Sequence, residues 1–220
     1  MHDSAEVMKS YYSARASYYD AVYEKPERAA DIAFLCEHLP DRLHGREVLE
    51  VACGTGFWSQ HIAPACTRYV ATDGVAEPLA IVRERLRGVT DECHVADAYA
   101  LPQTLGRFNG AFSGLWLSHV PVAQRREFFD SLHALLLPGA RVVLIDNSAV
   151  QCNDFPIVET DVDGNTWQQR PLRDGTTHRV LKNFPVEAEL RDMVAFAGAQ
   201  SCHYLSLDNF WYFEYELPGV

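Results

Sequence analysis

The chain is short of positive charge: 19 lysines and arginines stand against 30 aspartates and glutamates, a formal charge of -11 over 220 residues. Such a balance repels phosphate backbones and anionic bilayers, which argues against nucleic acid or a membrane as partner. Paired cysteines are also missing. Cys36, Cys53, Cys66, Cys93, Cys152 and Cys202 stand singly, with no C-x-x-C pair and no short-spaced Cys/His cluster of the kind a structural zinc site needs. No run approaches the roughly 20 apolar residues of a membrane span, and the first residues, Met1 to Glu6, lack a basic n-region and an apolar h-region. Internal repeats and low-complexity tracts are absent as well. The expectation is a reduced, soluble, cytoplasmic protein, too short for a two-enzyme fusion and, at 48% hydrophobic and 22% charged residues, able to bury a core of its own.

Along the chain, Tyr11, Tyr12, Tyr18, Tyr19 and Tyr23 crowd an N-terminal helical segment. Pro26 opens a second helix, expected to run through Leu39 and to stop at Pro40. From residue 46 short apolar runs alternate with helical stretches, the pattern of β/α units around a parallel sheet. Strands are expected at 47–52, 68–72, 92–96, 110–115 and 141–146, with a helix at 123–137 whose apolar positions repeat at helical spacing. Residues 148 to 185 break this rhythm. Turn signals at Asp161-Val162-Asp163-Gly164-Asn165 and Asp174-Gly175 suggest an inserted hairpin with strands at 166–170 and 177–181. A helix at 187–197 and two strands, 201–205 and 210–216, close the chain.

The most informative string is Val48-Leu49-Glu50-Val51-Ala52-Cys53-Gly54-Thr55-Gly56, an apolar strand with an acid near its end, running into a Gly-x-Gly turn and a helix. Glycines there let the backbone approach a ligand, and the next helix offers free N–H groups. A dinucleotide fold would carry a third glycine three residues on, but Ser59 stands there, and Glu50 would repel a pyrophosphate. The acid suits a cationic ligand. Two more acids, Asp73 and Asp97, end the second and third strands, where open α/β sheets bind ligands.

This set resembles the first motifs of class I S-adenosylmethionine-dependent methyltransferases of the small-molecule type. The resemblance implies an α/β fold over the whole chain: a doubly wound, seven-stranded, mostly parallel sheet with an antiparallel last strand, an N-terminal helical lid and an inserted hairpin. It implies one domain, with the lid at 1–40, the cofactor core at 41–147, a cap at 148–185 and the last helix and strand pair at 186–220. It implies S-adenosyl-L-methionine as cofactor, with Glu50 at the methionyl amino end, the Ala52, Gly54 and Gly56 turn beneath it, Asp73 on the ribose hydroxyls and Asp97 with Ala98 at the adenine. Leu115 completes the set, and Tyr12 and Tyr19 from the lid are candidates for the methionyl carboxylate.

The run Ser113 to Pro121 falls where the family surrounds the transferred methyl. It lacks the Asp/Asn-Pro-Pro-aromatic string of nucleic-acid and glutamine N-methyltransferases. Asp146 and Asn147 match half of a catechol-type metal set, but no Asp follows the fourth strand, so no metal is expected. Asp161-x-Asp-Gly-Asn looks like a calcium loop until its twelfth position, which is Leu172 instead of Glu. His119 is the candidate general base. Trp116, Asn147 and Trp167 are candidate substrate contacts, and with Phe155, Trp211 and Tyr212 near the rim they favour a planar or apolar small-molecule acceptor, methylated on O or N. Three alternatives stay open: a protein or peptide methyltransferase, a non-catalytic S-adenosylmethionine-binding module, and a dehydrogenase.

Overall fold

The computed structural model describes residues 20–172 and 174–219. Its strands are β1 (Glu47–Val51), β2 (Arg68–Asp73), β3 (Cys93–Val95), β4 (Phe108–Gly114), β5 (Leu136–Asn147), β6 (Ile157–Thr160), β7 (Thr166–Pro171), β8 (Thr177–Leu181), β9 (Gln200–Ser206) and β10 (Phe210–Glu216). Its α-helices are α1 (Ala29–Leu43), α2 (Ser59–Ile62), α3 (Ala76–Arg85), α4 (Arg125–His133) and α5 (Glu187–Ala195).

Seven strands form the main sheet in the order β3-β2-β1-β4-β5-β10-β9, with β1 to β5 parallel and β10 antiparallel to both of its neighbours. The strand alternation explains why both faces are covered. Leu49, Val51, Val142, Leu144, Trp211 and Phe213 point to one side, where Phe128 and Leu132 of α4 and Leu190 and Val194 of α5 pack on them. Val48, Val143, Ile145, Phe210 and Tyr212 point to the other, under Leu35 and Leu39 of α1, Ile62 of α2 and Leu79 and Val82 of α3. The chain reverses strand order between β1 and β4, so the carboxyl ends of these two strands flank a crevice. No helix among the described residues is long and apolar enough to cross a membrane.

Four expectations need correction. Helix α1 does not stop at Pro40 but continues to Leu43, because Leu39 and Leu43 are both fully buried on the same stripe and their packing outweighs the hydrogen bond that proline cannot donate. Helix α4 ends at His133, not at Leu137. The Phe108 amide donates to the Leu135 carbonyl at 2.9 Å and Phe108 pairs with Leu136, which draws the following residues into β5. The insertion is a three-stranded sheet, β6-β7-β8, and not a lone hairpin; β6 is exposed along its whole length and carries no burial pattern to betray it. Trp211 and Tyr212 lie 2% and 0% exposed in the core, one on each face of β10, and so leave the rim.

Because Phe213 is wholly buried between the sheet and the α4–α5 layer, Phe213→Ala should cost about 3–5 kcal/mol of folding free energy. Urea unfolding measures it, and a loss below about 1 kcal/mol would show that this layer can collapse around the cavity.

Candidate active site

Strand β1 ends in a turn of left-handed residues: Ala52 at φ 59°, Gly54 at φ 54° and Gly56 at φ 76°. The Cys53 amide donates to the Thr72 carbonyl and the Gly56 amide to the Cys53 carbonyl, both at 2.9 Å. A Cβ on Gly56 would meet Val82 at 3.2 Å, so side-chain bulk is excluded there as well as disfavoured by φ. Asp73 holds the turn from β2. One carboxylate oxygen accepts from the Gly54 amide and the other from the Val75 amide, each at 2.8 Å, which leaves each oxygen a second lone pair for a ligand. Burial raises its pKa, against the pull of those two amides.

Glu50 is buried in β1, and the Ser59 hydroxyl at the start of α2 donates to it. Burial pushes its carboxyl up to about 7, against the hydrogen bond from Ser59. A ligand ammonium nearby would return it to the charged form. Ser59, the residue that breaks the dinucleotide pattern, thus holds the acid in place.

The segment before α1 is latched to the same turn. The Thr55 hydroxyl donates to Asp20 at 2.5 Å, Arg85 of α3 pairs with the other oxygen of Asp20, and the Arg85 guanidinium donates to the Thr55 carbonyl at 2.9 Å. Tyr23 stacks on Phe57, ring centroids 3.7 Å apart. Tyr12 and Tyr19 lie outside the described residues. After β3, Asp97 is exposed and accepts from the Tyr99 amide at 3.0 Å, with Ala98 buried beside it and Tyr99 6.3 Å from the Trp116 ring.

At the carboxyl ends of β4 and β5 the side chains become polar and buried. Leu115 takes φ 59° and its amide donates to the Ile145 carbonyl at 2.8 Å, turning the chain across β5. Asp146 accepts from the Ser118 amide and hydroxyl, both at 2.9 Å, from its neighbour Asn147 at 2.8 Å and from the Lys182 ammonium at 2.9 Å. Burial lowers the Lys182 pKa to about 8 although Asp146 opposes the shift. Burial works to raise Asp146, but Lys182 and the other donors hold it below the usual carboxylate range. His119 donates from Nδ1 to the Leu181 carbonyl at 2.6 Å, which assigns the proton to Nδ1 and the lone pair to Nε2. Its pKa falls well below the ordinary value, first through burial and then through the charges of Lys182 and Arg170. The Asn147 side-chain oxygen and the Trp116 indole nitrogen are buried without hydrogen-bond partners among the described residues, at the ends of the two strands.

The cap is tied down over these residues by amides. Asn183 donates to the Val120 carbonyl at 3.2 Å, its own amide to the Ser118 carbonyl at 2.7 Å, and Asn165 accepts from the Val122 amide at 2.8 Å. On β7, Gln168 and Arg170 share one face, and the alternate residue Trp167 is braced apart from them by Asp161, 3.0 Å from its indole nitrogen, and by Arg179, 3.5 Å over its ring. Trp167 is therefore not brought together with His119, Asn147 and Trp116.

The donor set suits S-adenosylmethionine: a glycine turn that admits a backbone-close ligand, a carboxylate with spare lone pairs for a ribose, and acids where the ligand is cationic. Residues 48–139 match a family described as a methyltransferase domain. A structure described as the DhpI-SAH complex is 28% identical, with 99% of this chain and 98% of that one aligned at a TM-score of 0.79. A DhpI-SAM-HEP complex aligns likewise at 28% identity and 0.78, covering 98% of each chain. The chain is an S-adenosylmethionine-dependent class I methyltransferase. Its fold is also that of the Burkholderia thailandensis 1,6-didemethyltoxoflavin-N1-methyltransferase with bound 1,6-didemethyltoxoflavin and S-adenosylhomocysteine, at 17% identity, TM-score 0.67 and coverage of 99% and 90%. No curated protein matches the sequence.

Sequence reasoning about this methyltransferase passed over Ser59, Ser118, Arg170 and Lys182. The signal for the last two was faint: polar residues at inward positions of short strands look the same as a solvated face until the partner surface is known. Asp73→Ala should weaken S-adenosylmethionine binding by roughly 10-fold to 100-fold, since it removes both a charge-assisted acceptor and the brace on Gly54. Calorimetry on the folded variant checks this, and unchanged affinity would take Asp73 out of the cofactor site.

Proposed function

We propose that this methyltransferase modifies an oxygen or nitrogen atom of a small metabolite, held between the carboxyl ends of β4 and β5 and the β6-β7-β8 cap. The observation that carries this is enclosure: Ser118, His119, Asp146, Asn147, Arg170 and Lys182 are all buried. A substrate that touches them must pass beneath the cap, which a folded protein or an extended peptide does not do. The bound 1,6-didemethyltoxoflavin of the Burkholderia thailandensis enzyme lends the reading support by fold.

S-adenosylmethionine, when bound, supplies an electrophilic methyl whose bond to sulfur breaks, the pair staying on sulfur, as the acceptor lone pair forms the new bond. Glu50 with Ser59, the Ala52 to Gly56 turn, Asp73, Asp97, Ala98 and Leu115 are the residues that would hold it. His119 would take the acceptor's proton at Nε2, since its Nδ1–H is committed to Leu181 and burial keeps the ring neutral. The low basicity of a buried imidazole suits it to pass that proton on once transfer is complete. Asn147 and Trp116, with an acceptor oxygen and a donor nitrogen unpartnered among the described residues, would orient the substrate. Expulsion of water from beneath the cap and alignment of the acceptor supply the remainder of the rate. With Trp211 and Tyr212 in the core and Trp167 braced away, the aromatic argument for an apolar acceptor is much reduced.

Release of S-adenosylhomocysteine in a screen of small hydroxyl and amine acceptors tests the function. His119→Asn should then lower kcat by about 10²-fold or more with S-adenosylmethionine affinity within about twofold of wild type. In the wild type the neutral imidazole predominates above its lowered pKa, so kcat should stay level through neutral pH and past the ordinary imidazole range, falling only in more acidic solution. Full turnover per folded His119→Asn molecule would assign the proton transfer elsewhere.

A further inference from the structure

The cap brings more positive charge to the buried end of the sheet than the protein there neutralises. Arg170 is 3% exposed, and its partners are neutral: Nε and Nη2 donate to the Gln168 side-chain oxygen at 3.1 and 2.6 Å, and Nη2 to that of Gln151 at 3.3 Å. No carboxylate pairs with it among the described residues. Gln168 is itself turned to this role, its amide nitrogen donating to the Phe155 carbonyl while its oxygen faces the guanidinium. Lys182, 1% exposed, shares Asp146 with Ser118 and Asn147. Arg28, 5% exposed, pairs with Asp154 at 3.3 Å, but Lys25 claims the same oxygen at 2.6 Å.

Of the buried cations, Arg28, Arg170 and Lys182, only Lys182 pairs with a buried carboxylate, Asp146; Arg28 shares the part-exposed Asp154 with Lys25, and the buried Asp31 accepts from the Asn209 amide instead. This excess sits in a chain of formal charge -11. A buried guanidinium held only by amides and by the face of Phe155, 5.2 Å away, is costly, and the residue type offers a forked pair of donors suited to an oxyanion. Arg170 and Lys182 also lie within electrostatic reach of each other and of His119, the proposed proton acceptor, so an anion between them would sit beside the reaction centre.

We infer that the methyl acceptor carries an anionic group, a carboxylate or a phosphate-type oxyanion, and that Arg170 with Lys182 beside it recognises that group. The inference rests on the small-metabolite reading above and names the class of metabolite. It reverses the apolar tilt of the sequence: the cap of this methyltransferase selects by charge.

The test titrates inorganic phosphate and, separately, acetate into the protein saturated with S-adenosylhomocysteine, at constant ionic strength with chloride as the balancing salt, followed by calorimetry and thermal shift. Saturable binding of at least one of the two is expected, and which one binds tells phosphate-type from carboxylate recognition. Arg170→Gln should weaken that binding at least tenfold with S-adenosylhomocysteine affinity within twofold, and Arg170→Lys, which keeps the charge, should retain part of it. No saturable effect beyond chloride, or equal binding by Arg170→Gln, would overturn the inference while leaving the methyltransferase function intact. Loss of S-adenosylhomocysteine affinity in Arg170→Gln would overturn it differently, by making Arg170 a partner of the cofactor's own carboxylate. A wild type that binds no S-adenosylhomocysteine would bring down the function and the inference together.

Discussion

The carboxylate of Asp146 is the point on which the two halves of the molecule meet. It ends β5, has no exposure to solvent, and accepts from the loop after β4 through Ser118, from its own strand through Asn147 and from the cap through Lys182. A carboxylate with this many donors can remain charged where burial alone would neutralise it. Lys182, in turn, can be buried only because that carboxylate is there. The cap therefore stays on the sheet by way of a group inside the site, and its order is inseparable from the geometry that the acceptor meets.

Charge is divided along the carboxyl edge. In the proposed site the acids at the ends of β1, β2 and β3 would serve the cationic cofactor, and the cations of the cap would serve the acceptor. Between the two groups stand the ends of β4 and β5, with the Trp116 and Asn147 side chains, the neutral His119 imidazole and the Asp146 carboxylate that Lys182 balances. Such an arrangement favours two ligands of opposite character in neighbouring places and resists either one in the wrong place.

What could be read from the sequence was local. The Gly-x-Gly turn and its flanking acids are legible because a left-handed backbone and a strand end constrain the residue type within a few positions. Likewise β10 was expected at 210–216 and is found there, since its aromatic run has no helical period. Less local features escaped. Pro40 reads as a terminator, yet two buried leucines carry α1 past it. Strand β6 has every residue exposed and so no alternation to find. Arg170 and Lys182 acquire their meaning from Gln151 and Asp146, residues that strand spacing alone does not place beside them.

The Asp20, Thr55 and Arg85 contacts join the segment before α1 to the middle residue of the Gly-x-Gly turn. Whatever affinity the contacts of Asp20 lend to a ligand on the turn, the ligand lends to those contacts by the same factor. The coupling is symmetric, so a substitution at Asp20 or Arg85, remote from the ligand itself, would be felt in the grip of the turn.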